Sequence, residues 1–342
     1  MKIVLSTYLI AALGVGVFVY LDLPLPWLLG PIVACLTAAL LGIPMGGKPV
    51  INNLMRTILG VAIGATFTWA LVVTMAGMWT TLLLVPLMVF LIGLVGIPYF
   101  QRLWGFDFAT SYYGAMPGGL QDMLLFGEEA GADVRALSLF HATRIMVIVM
   151  VLPFILQFYW GTDLSNPPGV PAATLPLGQL VLMVICGLAG WQIAKAVGMF
   201  GASILGPMIL AAILALTGVL QHRPPVEAIW MAQFFIGMTV GTKYAGVTGA
   251  EVRRDVAAAL GFCVILVVLS AGFVEIIHVF HLAPPMEALL AFAPGGQAEM
   301  AVLALIAGAD MAFVISHHVL RIVVVILGAP LAARLFSPKR TG

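Results

Sequence analysis

Charged residues are scarce in this sequence. Lys and Arg number 15 and Asp and Glu 14 among 342 residues, so only 8% of the chain is charged, whereas soluble domains carry about 25%. Hydrophobic residues make up 62%, and the mean hydropathy is +1.14. The chain therefore has too little polar surface for a cytosolic enzyme, a disordered segment or a secreted scaffold. We predict an all-α, polytopic membrane protein that lies in the lipid bilayer.

Several kinds of functional motif are missing as well. The net charge is +1 and there is no basic tract, which argues against a nucleic-acid partner. The three cysteines, Cys35, Cys186 and Cys263, lie far apart in apolar stretches and have neither metal-ligand nor disulfide spacing. Neither a His-Glu-x-x-His sequence nor a P-loop occurs, so the motifs of zinc proteases and ATP-driven pumps are lacking. We expect no metal, no cofactor and no enzymatic activity.

Long apolar stretches follow one another, separated by Pro, Gly or charged residues. A spanning helix needs about 20 mostly apolar residues. Ten stretches are predicted as transmembrane helices: 3–21, 26–43, 56–75, 79–99, 134–157, 174–195, 203–220, 228–246, 255–278 and 311–335. Two more, 107–126 and 284–306, contain Pro117-Gly118-Gly119 and Pro294-Gly295-Gly296. Because proline lacks a backbone donor and glycine lowers helix propensity, each triplet predicts a re-entrant or broken helix.

The chain contains an internal repeat. Shifted by 177 residues, it aligns with itself without gaps, and 12 of the 31 positions from 117 to 147 are identical to their partners. The matching pairs include the two Pro-Gly-Gly triplets, Asp133 with Asp310, His141 with His318, Arg144 with Arg321, Gly60 with Gly237 and Gly64 with Gly241. This similarity predicts a duplication, with a first membrane repeat over 1–165 and a second over 166–342. The glycine pairs, four residues apart, are predicted to let helices pack closely.

The relative orientation of the repeats depends on whether the Pro-Gly-Gly segments cross the membrane. If both re-enter, there are ten spans, five in each of two inverted repeats; if both cross, there are twelve spans and the repeats are parallel. Lys and Arg are enriched in cytoplasmic loops. Apart from Arg144 and Arg321, re-entry places 12 of 13 such residues on the cytoplasmic side, whereas twelve spans place 8 there. We predict inverted repeats with both termini cytoplasmic and keep twelve full spans as the alternative.

Two arginines stand near the middle of apolar helices. Arg144 and Arg321 are each flanked by hydrophobic residues, and an arginine at the bilayer centre costs at least ~2.5–3.5 kcal/mol. Because guanidinium does not deprotonate, each must be paired or must face a ligand or water. One interpretation is that the arginines bind an anionic substrate, or that they replace a bound metal ion in part of the transport cycle. The other is a permanent salt bridge to an acidic residue, for which the candidates are Asp122, Glu299, Asp133 and Asp310.

Polar groups also follow each triplet. A break in a helix presents free backbone N–H and C=O groups, and a half-helix N-terminus carries a partial positive charge. The predicted substrate-binding residues are therefore Arg144 and Arg321 together with Gly118, Gly119, Gln121, Gly295, Gly296 and Gln297. The predicted ion- or proton-coupling residues are Asp122, Glu299, His141 and His318. In the structural alternative, the carboxylates cap the second half-helix and the histidines are neutral, hydrogen-bonded core residues.

Asp133 and Asp310 precede the two arginine-containing helices. Each ends an Ala-Gly-Ala-Asp sequence immediately before an apolar stretch. This position is typical of an N-cap at the start of a helix. We interpret both residues as caps.

The sequence around the triplets resembles a known family. The residues that carry the resemblance are Met116-Pro117-Gly118-Gly119 with Asp122-Met123, and Ala293-Pro294-Gly295-Gly296 with Glu299-Met300. With the Gly-Pro helices, this pattern resembles the AbrB-type duplicated bacterial membrane proteins, which are often labelled ammonia monooxygenase or regulator of gene expression. A monooxygenase needs a histidine-rich copper or iron site, and a DNA-binding regulator needs a soluble basic domain; the sequence shows neither.

The architecture is also similar, more distantly, to inverted-repeat cation/proton antiporters and anion symporters. That resemblance implies a scaffold bundle, a mobile transport bundle and frequently a homodimer. Our hypothesis is a secondary active transporter of a small organic anion in the bacterial inner membrane, coupled to H⁺ or Na⁺ and working by alternating access. The alternatives are a cation/proton antiporter and a membrane-embedded sensor or regulator of gene expression.

Overall fold

A computed structural model describes residues 2–69, 73, 77–164, 169–199 and 201–336, apart from the side chains of Lys2, Gln121 and residues 330–336. The helices of the first half are α1 Lys2–Tyr20, α2 Pro26–Leu40, α3 Pro49–Gly64, α4 Trp79–Leu103, α5 Phe108–Ala115, α6 Leu120–Glu129 and α7 Val134–Trp160. Those of the second half are α8 Leu177–Ala196, α9 Ala202–Leu216, α10 Val226–Thr242, α11 Gly249–Val279, α12 Pro285–Phe292, α13 Gln297–Ala307 and α14 Met311–Phe336. The described residues contain no strand, and the predicted all-α class is confirmed.

Six of the described helices are long and apolar enough to cross a membrane: α1, α4, α7, α8, α11 and α14. Each contains an 18-residue stretch of high mean hydropathy with at most two charged side chains. A helix of this length and composition is typical of a transmembrane span. The chain is therefore a helical protein of the multi-pass membrane type.

The other four predicted spans are shorter than the sequence suggested. The helices α2, α3, α9 and α10 have 15, 16, 15 and 17 residues, which corresponds to about 22–26 Å at 1.5 Å per residue. The hydrocarbon core is about 30 Å thick, so the predicted lengths were wrong for these four helices. Gly42 and Gly218, just beyond α2 and α9, have φ of 78° and 75°, a left-handed conformation that ends a helix early.

The largest difference in bounds concerns α3. The apolar pattern predicted a helix over 56–75, but α3 begins at Pro49 and ends at Gly64. Proline is well suited to the first position of a helix. Asn52, which lies before the predicted helix, and Arg56, which begins it, are consequently both inside α3. Of the predicted remainder, 70–72 and 74–76 lie outside the described residues.

The chain divides into two compact units, and each unit contains residues of both halves. The first unit comprises residues 1–77, 150–246 and 298–312; the second comprises 78–149, 247–297 and 313–342. Within the first unit, α3 of the first half packs on α9 of the second half, and α10 packs on α2. The two compact units are divided at other positions than the repeats predicted at 165/166. The repeat division concerns the symmetry of the sequence and stays a prediction.

Glycines allow these helix pairs in the first unit to approach closely. A Cβ atom at Gly60 would lie 2.4 Å from the carbonyl oxygen of Ile204, and one at Gly237 would lie 2.3 Å from that of Leu28. Ordinary van der Waals contact begins near 3.4 Å, so only glycine fits at either position. The predicted packing role of these two residues is confirmed. Each half contributes one such glycine, which lies against a helix of the other half.

Candidate functional site

Both Pro-Gly-Gly triplets interrupt a helix in the structure. The first break separates α5, which ends at Ala115, from α6, which begins at Leu120; the second separates α12 from α13. Met116 and Ala293, the residues before the two prolines, are extended with ψ of 130° and 126°, as the proline ring favours. Gly119 provides no side-chain cap for α6, so the first amides of this helix lack a side-chain acceptor. Whether the interrupted segments re-enter or cross the membrane stays a prediction.

Each buried arginine donates two hydrogen bonds to the carbonyl oxygens on either side of one of these prolines. The bonds run from Arg144 to Met116 (3.1 Å) and Gly118 (2.9 Å), and from Arg321 to Ala293 (3.0 Å) and Gly295 (2.8 Å). Arg144 is 3% exposed and Arg321 is 2% exposed. A cation is favourable at these positions because α5 and α12 end there and present the negative ends of their dipoles.

The salt bridge considered for the two arginines was wrong. In the part of the chain that the structure describes, the recorded ion pair joins Arg135 to Glu251 at 2.7 Å, and Arg144 and Arg321 bind backbone oxygens instead. The reason is the break itself, which leaves carbonyl groups without helical partners. The planar guanidinium fork can satisfy two of them at once.

The histidines one turn before the arginines make matched contacts. The Nε2 atom of His141 lies 3.1 Å from the carbonyl oxygen of Tyr113, and that of His318 lies 2.9 Å from the carbonyl oxygen of Leu290. Because a carbonyl only accepts, Nε2 carries the hydrogen in each imidazole and Nδ1 is the acceptor. Both histidines are fully buried. This geometry favours the neutral, hydrogen-bonded core residue, and a coupling role for them stays a prediction.

Several buried donors near the breaks have no hydrogen-bond partner among the described residues. They include the Nε atoms of Arg144 and Arg321 and the Nε2 atom of Gln297. A buried, unsatisfied polar group costs about 1–3 kcal/mol, so each position is suited to an incoming acceptor. Arg144 and Arg321, one from each half of the chain, both belong to the second unit. The side chain of Gln121 lies outside the described residues.

The two predicted coupling acids have different surroundings. Asp122 is half-buried in the first turn of α6, in the second unit. Glu299, in the first turn of α13, is 5% exposed and belongs to the first unit. Sequence reasoning counted Arg56 only as a cytoplasmic positive charge at the start of the predicted helix 56–75; the signal that places it within a helix is Pro49, which starts α3 seven residues earlier.

The two aspartates before the arginine-containing helices are caps. Asp133 accepts a hydrogen bond from the Ala136 amide at 3.0 Å, and Asp310 accepts one from the Ala312 amide at 2.9 Å. An acceptor at the start of a helix satisfies one of its unpaired amides. The capping interpretation is confirmed for both. Among the described residues, no group of three His, Cys, Asp or Glu side chains is placed to hold a metal ion.

A match to a known protein family covers both interrupted helices. The family described as "Transition state regulatory protein AbrB" matches residues 27–337, a range that contains both Pro-Gly-Gly triplets and both arginines. The chain belongs to the AbrB family. The resemblance predicted from the triplets is thereby confirmed, and AbrB-family membership covers both halves of the duplication.

Two relatives show how far this AbrB-family similarity extends. The protein named "Putative regulator AbrB" from Escherichia coli (strain K12) is 26% identical over 337 residues, which cover 96% of this chain and 95% of the relative. "Uncharacterized protein YhjN" from Bacillus subtilis (strain 168) is 29% identical over 301 residues, which cover 82% of this chain and 77% of the relative.

Proposed function

We propose that this AbrB-family protein is a secondary active transporter of a small organic anion in the bacterial inner membrane. The observation that carries the proposal is the unpaired Nε–H of Arg144 and of Arg321, each buried next to an interrupted helix. Two buried cationic donors without acceptors are suited to a ligand that brings oxygen acceptors and negative charge. An organic carboxylate or sulfonate has both properties.

The breaks supply the second part of the proposed binding site. Half-helix N-termini bind anionic substrate groups in transporters with discontinuous helices, and α6 and α13 both begin directly after a Pro-Gly-Gly triplet. In this proposal the Nη groups of each arginine hold the carbonyls of the break. The remaining arginine N–H groups and the amides after Gly118 and Gly295 bind the anion.

Transport would be coupled to H⁺ or Na⁺ through acidic residues and would proceed by alternating access. Broken helices at membrane depth are tolerated where they line a cavity or are buried in protein, and both breaks here lie in buried surroundings. The proposal requires neither a cofactor nor enzymatic activity. A homodimer is the assembly that the architecture suggests.

The test is a ligand screen by thermal unfolding of the purified protein in mild detergent. Small carboxylates and sulfonates are added one at a time, since a ligand at 100 times its Kd stabilises the folded state by about 2.7 kcal/mol. We expect an anion to raise the melting temperature, and we expect Arg144→Lys and Arg321→Lys to lose this shift because lysine has no Nε–H in the same position. Arg135→Lys is the matched control and should retain it. Full retention of the shift in both test variants would contradict the proposed site.

The same screen separates the alternatives. A shift produced only by cations would favour a cation/proton antiporter in which the arginines have a structural role. The name of the Escherichia coli relative suggests a regulator; a membrane sensor would bind a ligand without moving it. Uptake of the stabilising anion into proteoliposomes distinguishes a transporter from that sensor.

A further inference from the structure

The second repeat contains a buried histidine where the first repeat has a phenylalanine. His317 is fully buried on α14, and the residue 177 positions earlier is Phe140. The ring of Phe140 packs on the rings of Phe100 and Phe106, with centroids 4.6 and 5.0 Å away. Because an apolar ring fills this position in the first repeat, the imidazole of the second repeat adds a polar group that packing alone does not require.

The hydrogen bonding of His317 leaves one ring nitrogen without a partner. Its Nδ1 atom lies 2.7 Å from the carbonyl oxygen of Phe313, one turn earlier on α14. Because a carbonyl only accepts, Nδ1 carries the hydrogen and Nε2 has a free lone pair. This Nε2 atom is buried and has no hydrogen-bond partner in the part of the chain that the structure describes. His317 therefore presents a buried acceptor on the side of the ring that faces away from its own helix.

The two histidines already considered are anchored differently. The Nε2 atom of His318 donates to the carbonyl oxygen of Leu290 on α12, and His141 makes the matching bond to Tyr113 on α5. The Nε2 end of each of these rings is thus bound to a neighbouring helix in both repeats. Of these three buried histidines, His317 is the one whose Nε2 atom is available to a ligand.

His317 and Arg321 meet at the second break. They stand four residues apart on α14, which places them on one face of the helix, about 5–6 Å apart at Cβ. The ring of His317 lies 5.4 Å from that of Phe292, and Arg321 donates to the carbonyl oxygen of Ala293 at 3.0 Å. Both side chains therefore contact consecutive residues at the end of α12. One brings a buried acceptor without a partner, the Nε2 atom of His317, and the other a buried donor, the Nε–H group of Arg321.

The charged and titratable groups around His317 belong to three helices. They are His318 and Arg321 on α14, Glu287 on α12, and Cys263, Glu275 and His278 on α11. Glu287 lies in the first turn of α12, whereas the contact with His317 is at its last residue. Glu275 and His278 are exposed. The fixed charge one turn away is that of Arg321, and it opposes a proton on His317 until an anion neutralises it.

We propose that a carboxylate of the transported anion bridges Arg321 and His317, and that the coupling ion is one proton bound at the Nε2 atom of His317. One carboxylate oxygen would accept the Nε–H group of Arg321. The other would meet the lone pair of Nε2 and be repelled unless a proton lies between them. A proton taken up from water converts this repulsion into a charge-assisted hydrogen bond. The inference rests on the proposed function and names its coupling ion.

Anion and proton should then bind cooperatively. Coupling between two ligands is reciprocal, so a proton that strengthens anion binding is itself bound more tightly when the anion is present. Uptake of one proton with each anion lowers the Kd of the anion by up to about tenfold for each unit by which the pH falls. Because Phe140 cannot take up a proton, the first repeat adds nothing to this dependence.

The experiment measures anion binding through the melting temperature of the full-length protein in detergent. The probes are acetate and methanesulfonate, each titrated at constant ionic strength between about pH 5 and pH 8. Methanesulfonate stays ionised throughout, so a pH effect on its binding belongs to the protein. We expect the Kd of both anions to rise with pH, by up to about tenfold per unit.

Replacements of His317 provide the decisive comparison. His317→Phe introduces the residue of the first repeat and removes the proton site, and His317→Gln supplies an amide N–H group that donates to the anion without a proton. In both variants we expect anion binding to become independent of pH. His318→Gln is the matched control and should keep the pH dependence, since its amide can still donate to the Leu290 carbonyl. A pH dependence that persists in either folded His317 variant would overturn the inference.

The outcomes also separate this inference from the proposed function. An anion-induced shift with the same Kd at every pH overturns the inference and leaves the anion transporter standing. If no anion of the screen shifts the melting temperature at any pH, the proposed function is contradicted, and the inference with it. Loss of the pH dependence in Asp122→Asn or Glu299→Gln, but not in the His317 variants, would assign the proton to an acid and overturn the inference.

Discussion

The two buried arginines bind partners that the residue types in the sequence do not reveal. The sequence identifies Arg144 and Arg321 as unusual because they interrupt apolar helices. Their partners are carbonyl oxygens of Met116, Gly118, Ala293 and Gly295. A backbone carbonyl is not visible in the residue type, so the argument from side chains considered a carboxylate or a ligand and did not consider the carbonyl groups.

Replacement of either arginine by lysine should weaken the fold. Arg144→Lys and Arg321→Lys preserve the charge but remove the fork that reaches two carbonyls, and a hydrogen bond from a charged group contributes about 1.5–3 kcal/mol. We expect the free energy of unfolding to fall by about 2 kcal/mol in each variant. The measurement is unfolding in mixed micelles of increasing SDS content.

The matched control for this prediction is Arg135→Lys. Arg135 forms an ion pair with Glu251 in which its side chain is 41% exposed, and exposed pairs contribute about 0–1 kcal/mol. The expected loss is therefore smaller than for the buried arginines. Equal losses in all three variants would show that the two hydrogen bonds to carbonyl oxygens stabilise the fold no more than the exposed ion pair does.

At the scale of elements, glycines determine which helices can pack together. Gly60 on α3 faces the backbone of Ile204 on α9, and Gly237 on α10 faces the backbone of Leu28 on α2. The four-residue spacing of these glycines predicted close packing but did not identify the partner helices. Each partner comes from the other half of the chain, which no local pattern indicates.

An alanine at either crossing should push two helices apart. In Gly60→Ala and Gly237→Ala the new Cβ would meet a carbonyl oxygen at 2.4 and 2.3 Å, and overpacking against backbone costs about 1–3 kcal/mol. We expect both melting temperatures to fall. Gly16→Ala and Gly272→Ala serve as controls, because a Cβ there meets nothing within 4 Å.

The two control variants should not lose stability. Gly16 and Gly272 are exposed residues inside helices, where alanine is favoured over glycine by up to about 1 kcal/mol. Their melting temperatures should stay unchanged or rise. A fall comparable to that of Gly60→Ala would mean that helix crossing is not the cause.

For the whole molecule, the predicted inverted repeats determine the orientation in the membrane. Inverted repeats place the end of α6 in the cytoplasm and the segment before α8 outside, whereas twelve full spans reverse both positions. Glu129 and Ala173 are exposed at these two places. The native cysteines are all buried, so they should contribute little background to labelling.

Cysteine labelling in intact cells tests this orientation. With a membrane-impermeant maleimide added from outside, we expect Ala173→Cys to react and Glu129→Cys to react only after the membrane is opened. The physical reason is that the loop before α8 has no Lys or Arg, while Arg135 follows α6 closely and positive residues are retained inside. The reverse labelling pattern would support twelve full spans.

The sequence by itself determined the membrane class, most helix bounds, the family and the repeated Pro-Gly-Gly breaks, because hydropathy, proline and glycine act locally along the chain. It also selected Arg144 and Arg321, since a charge within an apolar helix stands out without any coordinates. The tertiary structure decided the rest: the carbonyl partners of the arginines, and the pairing of α3 with α9 and of α10 with α2. These features join residues distant in sequence, and such contacts depend on how helices from the two halves pack rather than on any local pattern.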